Sequence, residues 1–177
     1  DGIIITHSAF KKIPMSPEFQ AQFIQEQLDE LEVLLTEADD YAKTKQIERH
    51  KKRLEGRLEK IMDAKDKDKG VTFEETGIDQ LFVDEAHEFR KLDFATNQTG
   101  IKGIDPGGSQ MSFDLYTKIR HLEQSSPGRS TVLMSGTPIT NTLGEIYTIQ
   151  RYLQEDKLKA LGLHHFDSWA ATFGDMV

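Results

Sequence analysis

Leu81-Phe82-Val83-Asp84-Glu85-Ala86-His87-Glu88 decides how the chain reads. Three apolar residues preceded by Gly77-Ile78-Asp79 form a run too short for a helix and suited to a short strand. Two carboxylates follow at once, at the strand's carboxyl end, where parallel sheets gather their ligands. Asp84 is placed there to hold Mg2+ on nucleotide phosphates, usually through water. Glu85 points differently and can orient or deprotonate a water. An acidic pair at a strand end is also common on plain surfaces. A nuclease-like Mg2+ centre using Asp84, Glu85 and Glu88 would need a further carboxylate on a neighbouring strand, and none is well placed.

A second segment ends in a similar way. Thr131-Val132-Leu133-Met134 reads as a strand and runs into Ser135-Gly136-Thr137-Pro138, with Ser135 lying 48 residues past His87. Small hydroxylated residues there can bond across the sheet edge, and the proline stiffens the turn. Ile3-Ile4-Ile5 is a third β-branched run, expected to be a buried strand that leaves through the polar Thr6-His7-Ser8-Ala9-Phe10. Met111, Leu115, Ile119 and Leu122 make a helix capped near Ser109. Thr142-Leu143-Gly144-Glu145 has the form of a capping box opening a helix that carries Leu143, Ile146, Ile149 and Leu153. The remainder to Val177 is expected to be helical, with Phe166, Trp169 and Phe173 as packing anchors rather than a base-stacking platform. Residues 93–109 read as a long loop, with Gly107-Gly108-Ser109 as its entry to the next helix. Strands alternating with helices predict an α/β fold with a mostly parallel sheet flanked by helices.

Residues 16–69 have a different character. Ser16-Pro17-Glu18 opens a helix with serine as cap and proline at the first position. Ile24, Leu28, Leu31, Leu35, Ala38 and Ala42 then follow a heptad seam, and Ile47, Leu54, Leu58 and Ile61 continue it over roughly 44–66. Each helix shows one apolar face, so an antiparallel helical hairpin is expected. Its dense charges, including Lys51, Lys52 and Arg53, read first as a solvated, salt-bridged outer face. Lys65 to Gly70 reads as a helix stop and linker. Residues 40–69 hold 11 of the 22 basic residues and 7 of the 30 acidic ones, within a chain of net charge −8. The basic block could follow phosphates.

With Ala86 and His87, the acidic pair spells Asp-Glu-Ala-His. This tetrapeptide and the later Ser-Gly-Thr-Pro turn, in that order, resemble the second and third motifs of superfamily 2 DEAD/DEAH-box helicases and translocases. The run Gly77–Leu92, Ser135–Leu153 with its Ile-Tyr-Thr-Ile-Gln-Arg-Tyr-Leu ending, and the opening Ile-Ile-Ile-Thr-His-Ser-Ala-Phe extend the likeness. They are similar to the Swi/Snf-related helicase part of methyltransferase–helicase polypeptides from phages and mobile elements. The resemblance implies a partial RecA-like sheet, with the distal part of a first lobe in 1–15 and 70–155, the hairpin 16–69 inserted, and a helical extension at 156–177. It implies Asp84 as the Mg2+ ligand, Glu85 as the catalytic glutamate and His87 as the coupling histidine. Ser135, Gly136 and Thr137 would form the coupling turn, and His7 and Ser8 would lie near the nucleic-acid backbone. It also implies ATP as fuel, double-stranded DNA as partner and a methyltransferase domain in the same polypeptide.

No Gly-x-x-x-x-Gly-Lys-[Ser/Thr] occurs in the 177 residues, and Lys102-Gly103 has neither the spacing nor the preceding strand to replace it. The expected object is therefore a piece of a motor lobe beginning after the phosphate loop, inactive alone and binding ATP weakly or not at all, with Asp1 an artificial start. The competing expectation is a non-enzymatic module whose hairpin docks a partner. The chain contains no cysteine, which excludes disulfides, thiol catalysis and thiolate-bound metals. His164-His165 lacks an acidic partner at ligand spacing and reads as a loop or cap. His50 and His121, in charged or amphipathic stretches, are expected to be solvated. No apolar run is long enough to span a membrane, and a cytoplasmic location is expected.

Overall fold

A computed structural model describes residues 2–37, 41–64, 70–96, 104, 107–140 and 142–174. Ala38, most of the expected 65–70 linker and Lys102-Gly103 lie outside them. In chain order the elements are α1 (His7–Phe10), α2 (Pro17–Glu37), α3 (Tyr41–Ala64), β1 (Leu81–Val83), α4 (Gln110–Ser125), β2 (Thr131–Leu133), α5 (Leu143–Ala160) and α6 (Phe166–Phe173). Short 3-10 turns occupy Glu74–Thr76 and Ala86–Phe89. The architecture is mostly helical around a two-stranded parallel sheet, in which Leu81, Phe82 and Val83 face Thr131, Val132 and Leu133.

The apolar Ile3–Ile5 run is not a strand. It leaves Ile3 76% and Ile4 101% exposed, because β1 pairs with β2 and no described strand lies beside the triplet. β-branched residues fit a pleated surface only when a neighbour completes the ladder. One sheet face is covered, with Val83 buried and Leu81 and Leu133 packed into the core against Phe89, Leu115 and Ile119. Phe82 and Val132, register partners on the other face, are exposed.

Helix α2 begins as its sequence demands. The Ser16 hydroxyl accepts from the Phe19 amide at 3.2 Å. That hydroxyl also donates to Glu74 Oε1 at 2.6 Å, and the Ser16 amide donates to the same carboxylate at 3.0 and 3.1 Å. Burial alone would raise the pKa of the Glu74 carboxyl, but the Ser16 bonds, its own amide and His121 together hold it below its ordinary value. A depressed carboxyl pKa stabilises the fold above the unfolded-state value, and the gain is lost as pH falls through the folded one. Glu74→Gln therefore lowers stability most near about pH 7, and urea titrations should find that difference shrinking toward about pH 3.

Helices α2 and α3 pack along Ile24, Leu28, Leu31, Ile47 and Leu54, all buried, with Leu35, Leu58 and Ile61 alongside. The hairpin is not self-contained. Phe113 of α4 joins its seam, and Phe23 of α2 lies 5.5 Å from the Tyr116 ring. Phe19 stands edge-on to His121 of α4 at 5.3 Å, so His121 is part of an aromatic contact rather than free in solvent. His50 departs from expectation as well: its Nδ1 is buried without a partner. Burial first, offset in part by Asp93 and reinforced by Arg151, Arg53 and Arg57, lowers its pKa to about 4. The loop expected from residue 93 starts as core, with Asp93, Phe94 and Thr96 buried. A Cβ at Gly108 would stand 2.5 Å from Asp93 Cβ and 2.7 Å from its backbone nitrogen, so glycine lets the two arms of this segment touch. Phe166 and Trp169 of α6 are buried with Phe94 and Tyr147, while Phe173 is exposed, its ring tilted beside Trp169 at 5.6 Å.

The expected capping box at α5 does not form. Thr142 makes no side-chain cap bond. The Glu145 carboxylate accepts from the Thr140 amide at 2.6 Å instead of reaching back to Thr142. Arg90, far away in sequence, lies 3.5 Å from the same Glu145 Oε2.

Candidate functional site

The turn Asp84–Glu88 is fixed by backbone bonds across the sheet end. Met134 N–H donates to Val83 O and Ala86 N–H to Met134 O, both at 2.9 Å. The chain reverses at Glu85, whose φ of 49° and ψ of 44° lie in the left-handed region. Among the described residues no other non-glycine has a positive φ. Such a conformation costs about 1–3 kcal/mol at a non-glycine residue and persists only where its surroundings impose it. Here the Glu85 amide donates to Asp84 Oδ1 at 2.9 Å, locking the turn from its own side.

His87 gathers the site. Its Nδ1 lies 3.3 Å from Ser135 Oγ and 3.0 Å from Glu85 Oε2, and its Nε2 lies 3.4 Å from Glu88 Oε1. Ser135 Oγ accepts from the Thr137 amide at 3.1 Å, so serine and threonine form one small turn facing the histidine. The two motifs, distant in sequence, thus meet through side chains as well as through paired strands. His7 approaches from α1, with Nε2 2.9 Å from Asp84 O and its ring edge-on to Phe89 at 5.0 Å. Ser8 turns back to Thr6 Oγ1 at 3.0 Å, which itself caps α1. The α1 end is anchored by buried Lys118, whose ammonium donates to Phe10 O at 3.1 Å and Asp114 at 2.7 Å. Burial lowers the Lys118 pKa, and the Asp114 carboxylate offsets part of that shift.

Asp84 is exposed, and among the described residues nothing bonds to its second carboxylate oxygen. That oxygen is a free hard donor of the kind Mg2+ accepts. No group of three histidines and carboxylates able to cage a metal occurs among the described residues. Asp84 alone would give a cation one protein ligand.

A family model described as "Probable helicase domain" matches residues 1–176. The chain belongs to that family. No curated protein and no solved structure matches it. The helicase-domain match spans the hairpin as well as the sheet, so α2 and α3 fall within the family region. No described helix is long and apolar enough to cross a membrane.

In this helicase domain the paired basic residues of α3 have partners outside the His87 cluster. Lys51 is tied to Glu32 of α2 at 2.7 Å, whereas Lys52 and Arg53 are exposed. Arg57 turns inward to Asp93 at 3.2 Å and lies over the Phe113 ring at 4.3 Å. Glu88, weighed from the sequence only as a ligand of a nuclease-like centre, is the second carboxylate on His87, and Arg90, not singled out there, donates its Nε to His87 O at 2.8 Å. Their position in the same short turn as His87 was the available signal. Tyr152 was also missed: its buried hydroxyl donates to Phe89 O at 2.8 Å, with Ser112 O at 3.1 Å.

Proposed function

We propose that this chain is the hydrolytic part of an ATP-driven DNA translocase of the superfamily 2 DEAD/DEAH type, related to Swi/Snf motors. The observation that carries the reading is the 3.3 Å approach of His87 Nδ1 to Ser135 Oγ at the ends of two paired parallel strands. In this reading β1 and β2 belong to a RecA-like sheet. Asp84 holds Mg2+, which screens the β- and γ-phosphates of ATP. Glu85 orients the attacking water and takes its proton. His87 passes the change at the phosphates to Ser135–Thr137 and so to the segments that grip DNA. The phosphate-cradling loop, absent from these 177 residues, comes from sequence outside them. The chain alone then hydrolyses no ATP. A methyltransferase domain in the same polypeptide and a cytoplasmic setting accompany this reading.

The test is DNA-stimulated phosphate release by a polypeptide that includes the phosphate loop and a second lobe. ATP turnover that rises with double-stranded DNA and disappears in Asp84→Asn is expected. Absence of turnover in the complete polypeptide overturns the reading.

Lys51, Lys52 and Arg53, with His7 and Ser8, are proposed to face the DNA backbone. Each cation on a phosphate releases a counterion, so replacing all three α3 cations with glutamine should flatten the log–log salt slope of binding by about 2–3. Lys51 is already held by Glu32, which puts most of that change on Lys52 and Arg53. An unchanged slope in a fluorescence titration would leave α3 with a purely structural role.

A further inference from the structure

Arg90 follows the Ala86–Phe89 turn, and its guanidinium reaches three segments at once. Nε donates to His87 O at 2.8 Å, on the turn itself. One terminal nitrogen donates to Thr140 Oγ1 at 2.6 Å, on the loop that continues from Ser135. The same nitrogen lies 3.5 Å from Glu145 Oε2, in the first turn of α5. Thr140 closes the circuit: its amide donates to Glu145 Oε2 at 2.6 Å and its hydroxyl to Oε1 at 3.3 Å. Glu145 is only 9% exposed, so this carboxylate is sequestered from water. Charge-assisted bonds in such a setting are shorter, stronger and more directional than surface pairs. A planar guanidinium fixes the angle between its bonds, which a lysine cannot do.

α5 grips the turn a second time, two helical turns further on. The Tyr152 hydroxyl donates to Phe89 O, next to Arg90 in sequence. Displacement of α5 or of the 135–140 loop therefore pulls on the His87 carbonyl and on the two residues Phe89 and Arg90 that follow it.

We propose that Arg90, Thr140 and Glu145 form a clamp that sets His87 against Ser135, with Arg90 as its positioning residue. The clamp stands on the geometry alone. Its consequence for ATP turnover rests on the function proposed above.

The experiment uses this chain, labelled for NMR, with Arg90→Ala, Arg90→Lys and Glu145→Gln. Amide exchange at Thr137 and Thr140 should quicken about tenfold in Arg90→Ala, with Ala86 and Met134 within about twofold of wild type. The His87 ring nitrogen shifts should move in both Arg90 variants. Lysine keeps the charge facing Glu145 and should restore the melting temperature without restoring the His87 shifts, because it cannot also serve the His87 carbonyl. A simple structural ion pair would be rescued by lysine in both respects, and that result overturns the proposal. Unchanged exchange at Thr140 in Arg90→Ala overturns it as well.

In the ATP-hydrolysing polypeptide, Arg90→Lys should lower kcat about tenfold with KM within about twofold, as expected for lost alignment rather than lost binding. Altered His87 shifts and exchange together with no turnover in the unsubstituted polypeptide would retain the clamp and reject the motor.

Discussion

Arg151→Met unfolds at far lower urea concentration than the parent chain, with a stability loss of about 3–5 kcal/mol. Arg151 sits on α5 with its side chain 12% exposed. Its Nε donates to Glu155 at 3.2 Å, and its two terminal nitrogens donate to Asp93 O at 3.1 Å and the Tyr116 hydroxyl at 3.0 Å. Its guanidinium also lies 4.7 Å over the Tyr116 ring. Methionine fills much of the volume but satisfies none of these groups, and it leaves the buried Glu155 carboxylate without its cation. An uncompensated buried charge is the costly part, since domain stabilities total only about 5–15 kcal/mol. Adding Glu155→Leu removes the orphan charge and should return more than half of the loss. A single substitution costing under about 1 kcal/mol would mean that water reaches the cluster and solvates it.

Glu85→Gln separates stability from chemistry. Under the proposed function it reduces ATP turnover about 10²–10⁴-fold, the usual scale for removing a general base. Glutamine keeps the length and shape of the side chain and can still bond to His87, 3.0 Å away in the parent. The Glu85 amide bond to Asp84 survives, because it belongs to the backbone. Melting temperature and ATP affinity should therefore stay near those of the parent while phosphate release collapses. Glu85→Gly gives the complementary result: it relieves the left-handed backbone and should stabilise the chain by up to about 1 kcal/mol while also abolishing turnover. Turnover retained in Glu85→Gln would move the base to another residue.

What the sequence disclosed follows the range of the forces involved. Ser16 and Ser109 cap their helices as read, each through a bond to the amide three residues on. The strands at 81–83 and 131–133 were legible because apolar runs meet polar turns abruptly. Ile3–Ile5 carries the same local signal, yet a strand also requires a neighbour, which no local pattern reveals. Glu145 satisfies the spelling of a capping box, but its carboxylate takes the Thr140 amide, two residues before the cap, and faces the distant Arg90. His50 looks solvated among lysines and arginines, and its burial comes from the elements packed against α3. The words Asp-Glu-Ala-His and Ser-Gly-Thr-Pro were readable, and so was their expected meeting. The clamp behind them was not, because Arg90 meets Glu145 only when α5 docks.

The bond from Ala86 N–H to Met134 O also orders events in time. The acidic turn takes its folded shape against the end of β2, where Met134 lies 48 residues past Ala86. At about 5–20 residues per second, a ribosome needs roughly 2–10 s to deliver that partner. Throughout that interval Asp84 and Glu85 are part of an unfinished strand end, with the apolar 81–83 run uncovered beside them. Asp84, Glu85 and His87 are thus among the late-forming parts of the chain, and a nascent polypeptide stalled before residue 131 would carry the motif without its folded turn.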